Sequence, residues 1–346
     1  MARRWKNRPE GSNWGDFGPD DQVGRINLLT PEKRRPGAAE IQEGIAFCLS
    51  LPLDYPGGNA LNPRRFPPQI GPTGDEDGER LNFPMERAVP ETTDVVNDDQ
   101  VRITLQYSTQ WDSLCHIGAW FDADGDGVPE KVYYNGYRAG EHIVGNIDYD
   151  GEGAAAEGEA TGARALGIET LAAHPIQGRG VLVDLGVRYG RERTLVGHAE
   201  LMVAMAEDGV AVEAGDILVL RTGFAGMVLE MNREPDAAVL HGACAVLDGR
   251  DEALLQWITD SGIAAIACDN YAVEAYPARP VEGRAPALPL HQHCLFKLGL
   301  PLGELWYLDA LAEWLREHGR SRFLLTAPPL RLPGAVGSPV TPVATV

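Results

Sequence analysis

Four short runs, at residues 181–184, 217–221, 263–267 and 323–326, are dense in Val, Ile and Leu and are separated by stretches of helical periodicity at about 194–208, 250–261 and 308–318. Runs this short and this apolar read as buried strands. Strands alternating with helices leave few ways to bury both kinds of element, and the pattern indicates an α/β fold. The chain has 346 residues, 44% of them hydrophobic, enough to bury a large core without covalent staples.

Residues 1–100 lack that alternation. They are rich in Pro and Gly and carry the acidic run Gly74-Asp75-Glu76-Asp77, which reads as a segment that wraps or lids a catalytic domain spanning 101–346. One short helix is expected here: Thr30 suits the N-cap, Pro31 the first helical position and Glu32 the positive end of the dipole. Pro36 is expected to kink it or end it early. The basic run from Ala2 to Arg8 reads as a solvated tail.

The residues with most chemistry follow Val101, Ile103 and Leu105, whose alternation reads as a strand ending at 105. From Gln106 to Ser113 every residue is polar or aromatic, and Gln106, Gln110, Asp112 and His116 recur as groups able to hold metal, water or a proton. If the backbone stays extended from 106 to 112, Gln106, Gln110 and Asp112 share one face, because side chains alternate along a strand. His116, four residues on, can reach back as a proton carrier, since imidazole titrates near neutrality.

The run Gln106-Tyr107-Ser108-Thr109-Gln110-Trp111-Asp112-Ser113-Leu114-Cys115-His116 resembles the signature of the cyclase / kynurenine formamidase family of metal-dependent hydrolases, His-x-Gly-Thr-His-x-Asp-x-Pro-x-His. Thr109, Asp112 and His116 match in place. Ser108 and Leu114 replace the glycine and proline, and Gln106 and Gln110 replace two histidines. A branch of larger members carries a similar Gln-x-x-[Ser/Thr]-Gln-Trp-Asp form followed by Tyr-Asn-Gly, as at Tyr134-Asn135-Gly136. The likeness continues through Gly11-Ser12-Asn13-Trp14-Gly15-Asp16, Ala267-Cys268-Asp269-Asn270, Pro289-Leu290-His291, Gly303-Glu304 and Gly337-Ser338-Pro339-Val340.

That resemblance implies a cyclase-like fold of the swivelling β/β/α type, a mixed sheet packed against helices with the site at the strand ends and an extended N-terminal segment. It also implies a divalent ion, Mn2+ or Zn2+, on Asp112, His291 and Glu304. His293 is eleven residues from Glu304, but His291 follows Pro289-Leu290 as the family ligand does. Gln106 and Gln110 have three readings: oxygen ligands that shift preference from zinc toward manganese or magnesium, groups that orient water or substrate, or the mark of a branch without catalytic metal. The first favours one ion over two. Trp111, Tyr134 and Arg64 are candidates for substrate contact, the last because Arg64-Arg65 suits a carboxylate; a surface pair is the other reading.

The implied reaction is metal-assisted hydrolysis of a small cyclic or N-acyl amide or ester, of lactam, lactone or arylformamide type, with His116 and Asp112 in the catalysis. Two alternatives stay open: a lyase or cyclisation enzyme using His116 and Asp112 as an acid–base pair, and a non-catalytic binding member of the fold. The resemblance further implies a homodimer or homotetramer.

Composition excludes other classes. Thirty basic against fifty acidic residues give a net charge of -20, which opposes binding to nucleic acid or anionic membranes. With no signal-peptide core in residues 1–20 and no membrane-spanning run, a cytoplasmic protein with a small-molecule substrate is expected. The five cysteines form no Cys-x-x-Cys pair, and Cys115 reads as a buried thiol. Asp122, Asp124 and Asp126 with Gly127 copy the first half of a calcium loop, yet Tyr133 stands where a bidentate Glu belongs. A structural Ca2+ aided by Glu130 and a solvated turn are both consistent with it.

Overall fold

The apolar runs become the centre of a nine-stranded mixed sheet. The computed structural model describes every residue except 1, 2, 148, 150–153 and 157. The strands are β1 (Ala46–Cys48), β2 (Gln110–Asp112), β3 (Gln177–Asp184), β4 (Ile217–Arg221), β5 (Ala265–Cys268), β6 (Leu302–Glu304), β7 (Arg322–Thr326), β8 (Gly337–Pro339) and β9 (Val343–Thr345). Their spatial order is β1-β9-β7-β3-β4-β5-β6-β2-β8. The four strands β3 to β6 run parallel, and the flanking pairs are antiparallel.

Both faces of the parallel strands are covered, which is why they read as continuous apolar runs rather than alternating ones. Val181, Val183, Leu218 and Leu220 face one core cluster. Leu182, Ile217 and Val219 face the other. The first cluster is closed by the helices α2 (His198–Glu207) and α3 (Glu252–Ser261), the second by α5 (Asp309–Glu317). In α3, Asp251 caps the N-terminus by accepting from the Ala253 and Leu254 amides, and Gly262 ends the helix at φ 67°. Such a cap contributes about 1 kcal/mol. Full burial of Leu254 and Ile258 contributes roughly 1.5–3 kcal/mol each, so packing outweighs capping.

The helix expected at 194–208 begins late. Thr194–Val196 pairs instead with Ala245–Leu247 as a parallel ladder, and Gly197 starts the helix. The two β-branched residues had a strand partner fifty residues away, which local periodicity cannot reveal.

The first hundred residues join the same body. They supply the edge strand β1, and the Trp14 indole donates to the Phe296 carbonyl at 2.7 Å. Thr30 caps α1 (Pro31–Ala39), accepting from the Lys33 amide, and the helix runs through Pro36 instead of stopping. Gly37 packs directly on the backbone of Gly178 and Arg179, and that contact holds the last turn in place. The basic run is not a solvated tail. Trp5 is buried, Arg4 pairs with Asp20 and covers the Tyr137 ring, and Arg8 pairs with Asp16; Ala2 lies outside the described residues.

The strand expected to end at Leu105 is Asp99–Arg102, paired with Gln69–Pro72 in an exposed two-stranded ladder, and Leu105 lies in a turn. Its apolar alternation has no sheet face to pack against. No helix among the described residues is long and apolar enough to cross a membrane.

Candidate metal centre

The site forms where β2 is inserted between β6 and β8. Gln110 stands opposite Glu304 in the first ladder, and Asp112 opposite Gly337 in the second. Residues directly opposed in a ladder project to the same face, so Gln110, Asp112 and Glu304 converge. The helical turn α4 (Pro289–His291), which continues as a π-helix over Gln292–Lys297, brings in His291. Ligand atoms of Asp112, His291 and Glu304 all lie within 4.8 Å of one another, and all three residues are buried. His291 Nε2 is 3.1 Å from Glu304 Oε1 and 3.9 Å from Asp112 Oδ2.

Glu274 completes the arrangement. It was not singled out from sequence, and no spacing rule links it to His291. Fully buried, it accepts from the Leu290 and His291 amides at 3.0 and 2.8 Å and meets His291 Nδ1 at 2.8 Å. Gly249 is what makes room for it, since a Cβ there would lie 2.1 Å from Glu274 Oε2. A carboxylate on Nδ1 leaves Nε2 facing Asp112 and Glu304 as the ligand atom, the usual arrangement of a metal-bound histidine. Glu274→Gln is expected to weaken divalent-ion affinity roughly 10- to 100-fold, the cost of losing such a support. Metal titration by calorimetry measures it, and an unchanged Kd would remove Glu274 from this role.

Without an ion the carboxylates are strained electrostatically. Burial, and then the neighbouring Asp112, push the pKa of Glu304 up to about 7. Burial opposes charge on His291, but its bonds to Glu274 and Glu304 prevail and raise it to about 10. A bound cation would offset the repulsion between the carboxylates. Asp112 Oδ2 and Gln110 Oε1 are also buried without a partner, an uncommon state for interior polar atoms. Two carboxylates and one imidazole fit a divalent ion and leave positions open. The group can therefore hold a metal.

The two glutamines differ. Gln110 donates from Nε2 to Glu304 Oε2 at 2.9 Å and to Asp112 Oδ1 at 3.4 Å, so its amide bridges the two carboxylates. Gln106 lies before β2, where the backbone is turned rather than extended, contrary to the expectation of a strand from 106 to 112. Its amide nevertheless reaches the same face: Nε2 is buried, unpartnered and 2.5 Å from where a Cβ of Gly337 would be. Glycine at 337 is what admits it.

His116 sits beyond β2, on a turn closed by its amide to the Ser113 carbonyl, with Nε2 3.8 Å from Asp112 Oδ1. Burial lowers its pKa despite the opposing pull of Asp112, with His291 and Arg65 lowering it further. It is therefore a neutral imidazole near pH 7, able to accept a proton. Its side chain is 20% exposed, the most open of the group, and borders a cavity of about 260 Å³. That cavity is lined on the metal side by His116, His291 and Glu304, and elsewhere by Leu61, Ile117, Leu288 and Tyr276. Arg64 and Arg65 also line it.

Trp111 and Tyr134 do not. Trp111 points to the opposite sheet face, fully buried at 5.0 Å from Trp306 and bonded to the Ala327 carbonyl. Tyr134 is fully buried, with its hydroxyl on Asp21. Substrate contact is corrected for both, because strand alternation turns Trp111 away from Asp112 and the core encloses Tyr134. The cavity instead uses His241 and Tyr271, 3.3 Å apart, which no motif marked. His293 bonds Thr259 at 2.9 Å and is not in the ligand group. Cys115 is a buried thiol whose pKa burial pushes up to about 12.

Asp122, Asp124 and Asp126 do gather, with ligand oxygens within 4.8 Å. They accept from the amides of Gly125, Asp126, Gly127 and Val128, as Asp does in turns. Glu130 is not in that group, and its Oε2 pairs with Arg138 Nε at 2.7 Å.

Comparison with known proteins identifies the family and the fold. Residues 49–275 match the Cyclase family, described as "Putative cyclase", and the chain belongs to that family. A crystal structure of a novel cyclase is 32% identical with a TM-score of 0.72, the alignment covering 97% of each chain. Isatin hydrolase A from Ralstonia solanacearum shares the fold at 16% identity and TM-score 0.53, over 87% of this chain and 91% of its own. Isatin hydrolase A from Labrenzia aggregata, bound to benzyl benzoate, does so at 13% identity and TM-score 0.54, over 89% and 95%. No curated protein matches the chain.

Proposed function

We propose that this chain is a hydrolase of small cyclic or N-acyl amides or esters, of lactam, lactone or arylformamide type, that works with one divalent ion, Mn2+ or Zn2+. The observation that carries the reading is the convergence of Asp112, His291 and Glu304, with unpartnered buried oxygens, beside a cavity bordered by a neutral histidine. When bound, a divalent ion there supplies Lewis acidity to a carbonyl oxygen and lowers the pKa of coordinated water. Asp112, His291 and Glu304 would hold it. His116 takes a proton at Nε2 and returns it to the leaving nitrogen or oxygen. The fold relatives named for isatin hydrolysis support the reaction class.

The amide of Gln110 lies between the two carboxylates, where it neutralises part of their repulsion without a second cation. That favours one ion. Gln106 Nε2, unpartnered on the same face, is placed to donate to water or to a substrate carbonyl.

Two measurements test the reading together. Elemental analysis of protein purified without added metal should find close to one divalent ion per chain. A panel of dihydrocoumarin, isatin and formanilide should include at least one substrate whose product takes up oxygen from labelled water. Turnover without that label would favour the lyase alternative, and ion-free protein inert to the panel would favour a binding protein. Gln110→His is expected to raise zinc affinity, since imidazole is a better zinc ligand than an amide oxygen, while turnover falls. An unchanged zinc Kd in that variant would contradict the placement of this side chain against Asp112.

A small-molecule substrate and a homodimeric or homotetrameric assembly go with this proposal. Support for the latter comes from Ile70 and Val101, cross-strand partners that are 73% and 56% exposed on the ladder of residues 69–102. Sedimentation analysis tests it.

A further inference from the structure

We infer that the substrate of this cavity carries an anionic group, a carboxylate, that is bound by Arg64 and Arg65. The inference rests on reading the cavity as the substrate pocket of the proposed hydrolase.

The two arginines come from the N-terminal segment, yet they share one cavity with His116, His291 and Glu304. Their loop is organised for this. The Asn62 side chain accepts from the Arg64 amide at 3.1 Å, the Asn62 carbonyl accepts from the Arg65 amide at 3.0 Å, and Thr104 Oγ1 accepts from the Phe66 amide at 3.2 Å. Arg65 Nη1 donates to the Gln106 carbonyl at 2.7 Å, the one hydrogen bond of this side chain among the described residues, which ties one end of the guanidinium to the segment leading into the metal-centre strand. The rest of its fork is left to recognise something else.

Among the described residues neither guanidinium has a carboxylate partner, in a chain with fifty acidic residues against thirty basic ones. Some arginines elsewhere are engaged by acids, as Arg179 is by Asp216 and Arg221 by Asp184 and Asp309, and others, such as Arg25 and Arg250, by backbone carbonyls. A net charge of -20 also repels anions at a distance. A local pair of cations at the pocket is what admits one, and Arg forks match carboxylate geometry. Leu61, Ile117, Leu288 and Leu305 provide an apolar wall for the body of the molecule. At about 260 Å³ the cavity falls just below the roughly 300 Å³ where pockets for drug-sized ligands begin, which limits that body to a small ring system.

The test uses the metal-loaded full chain and two probes of equal shape, benzoate and benzamide, titrated calorimetrically into wild type, Arg64→Gln and Arg65→Gln. Benzoate should bind at least tenfold more tightly than benzamide. Each substitution should weaken benzoate roughly ten- to a hundredfold, the range for a charge-assisted bond, and leave benzamide within about twofold. Because Arg65 also holds the Gln106 carbonyl, Arg64→Gln alone decides the matter if Arg65→Gln does not fold. Benzoate binding no tighter than benzamide, or equal in wild type and Arg64→Gln, overturns the inference, and in the second case places the carboxylate on the metal. Dihydrocoumarin hydrolysis keeps this separate from the proposed function. A chain that hydrolyses this neutral lactone but ignores benzoate refutes the anionic subsite alone. One that binds benzoate through the arginines but hydrolyses no ester or amide refutes the hydrolase alone.

Discussion

Asp112→Ala and Glu304→Ala are each expected to abolish stoichiometric binding of a divalent ion and to reduce the proposed hydrolysis to background. The two carboxylates are the only anions in the ligand group, and His291 supplies a single neutral nitrogen. Losing one therefore removes half the charge that offsets dehydration of the ion, a larger loss than the roughly 10- to 100-fold expected for a supporting residue such as Glu274. Stability provides a second readout. An ion bound only to the native state adds about 4 kcal/mol when its free concentration is a thousand times Kd. Chelation should lower the melting temperature of wild type and leave both variants unmoved. Stoichiometric metal in both variants would mean that this is not the metal centre.

His116→Ala is expected to keep the ion while turnover falls by roughly two to four orders of magnitude, the usual share of a positioned acid–base group. The separation follows from geometry. His116 Nε2 lies 3.8 Å from Asp112 Oδ1, outside the cluster that Asp112, His291 and Glu304 form, and its ring borders the cavity. Metal content by elemental analysis and kcat at several pH values check it together. A near-native kcat across the neutral range would exclude His116 from proton transfer. Loss of metal in this variant would instead make it a ligand.

Much of this was legible in the chain because the relevant information is local. The strands at 217–221 and 323–326 and the helix expected at about 250–261 announce themselves by apolar runs and helical periodicity. Each signal spans a few residues, the range over which backbone geometry and side-chain periodicity act. The motif from Gln106 to His116, with Pro289-Leu290-His291 and Gly303-Glu304, indicated the ligand group for a different reason: its resemblance to a family signature implies donors at those positions.

What the residues could not disclose depends on which strands become neighbours. Trp111 turned away from the cavity because β2 pairs with β6 so that Gln110 and Asp112 take the face of Glu304, and the same alternation sends the indole to Trp306. Thr194–Val196 became a strand because Ala245–Leu247 lay beside it. Glu274 came to hold His291, seventeen residues distant, through a gap left by Gly249. Arg64 and Arg65, which the chain left as either a carboxylate contact or a surface pair, both line the cavity. Donor chemistry and local periodicity are properties of residue types and short spacings, so the chain alone specifies them. Facing, support and access are set by contacts between residues tens to hundreds of positions apart, and those exist only once the sheet has chosen its order.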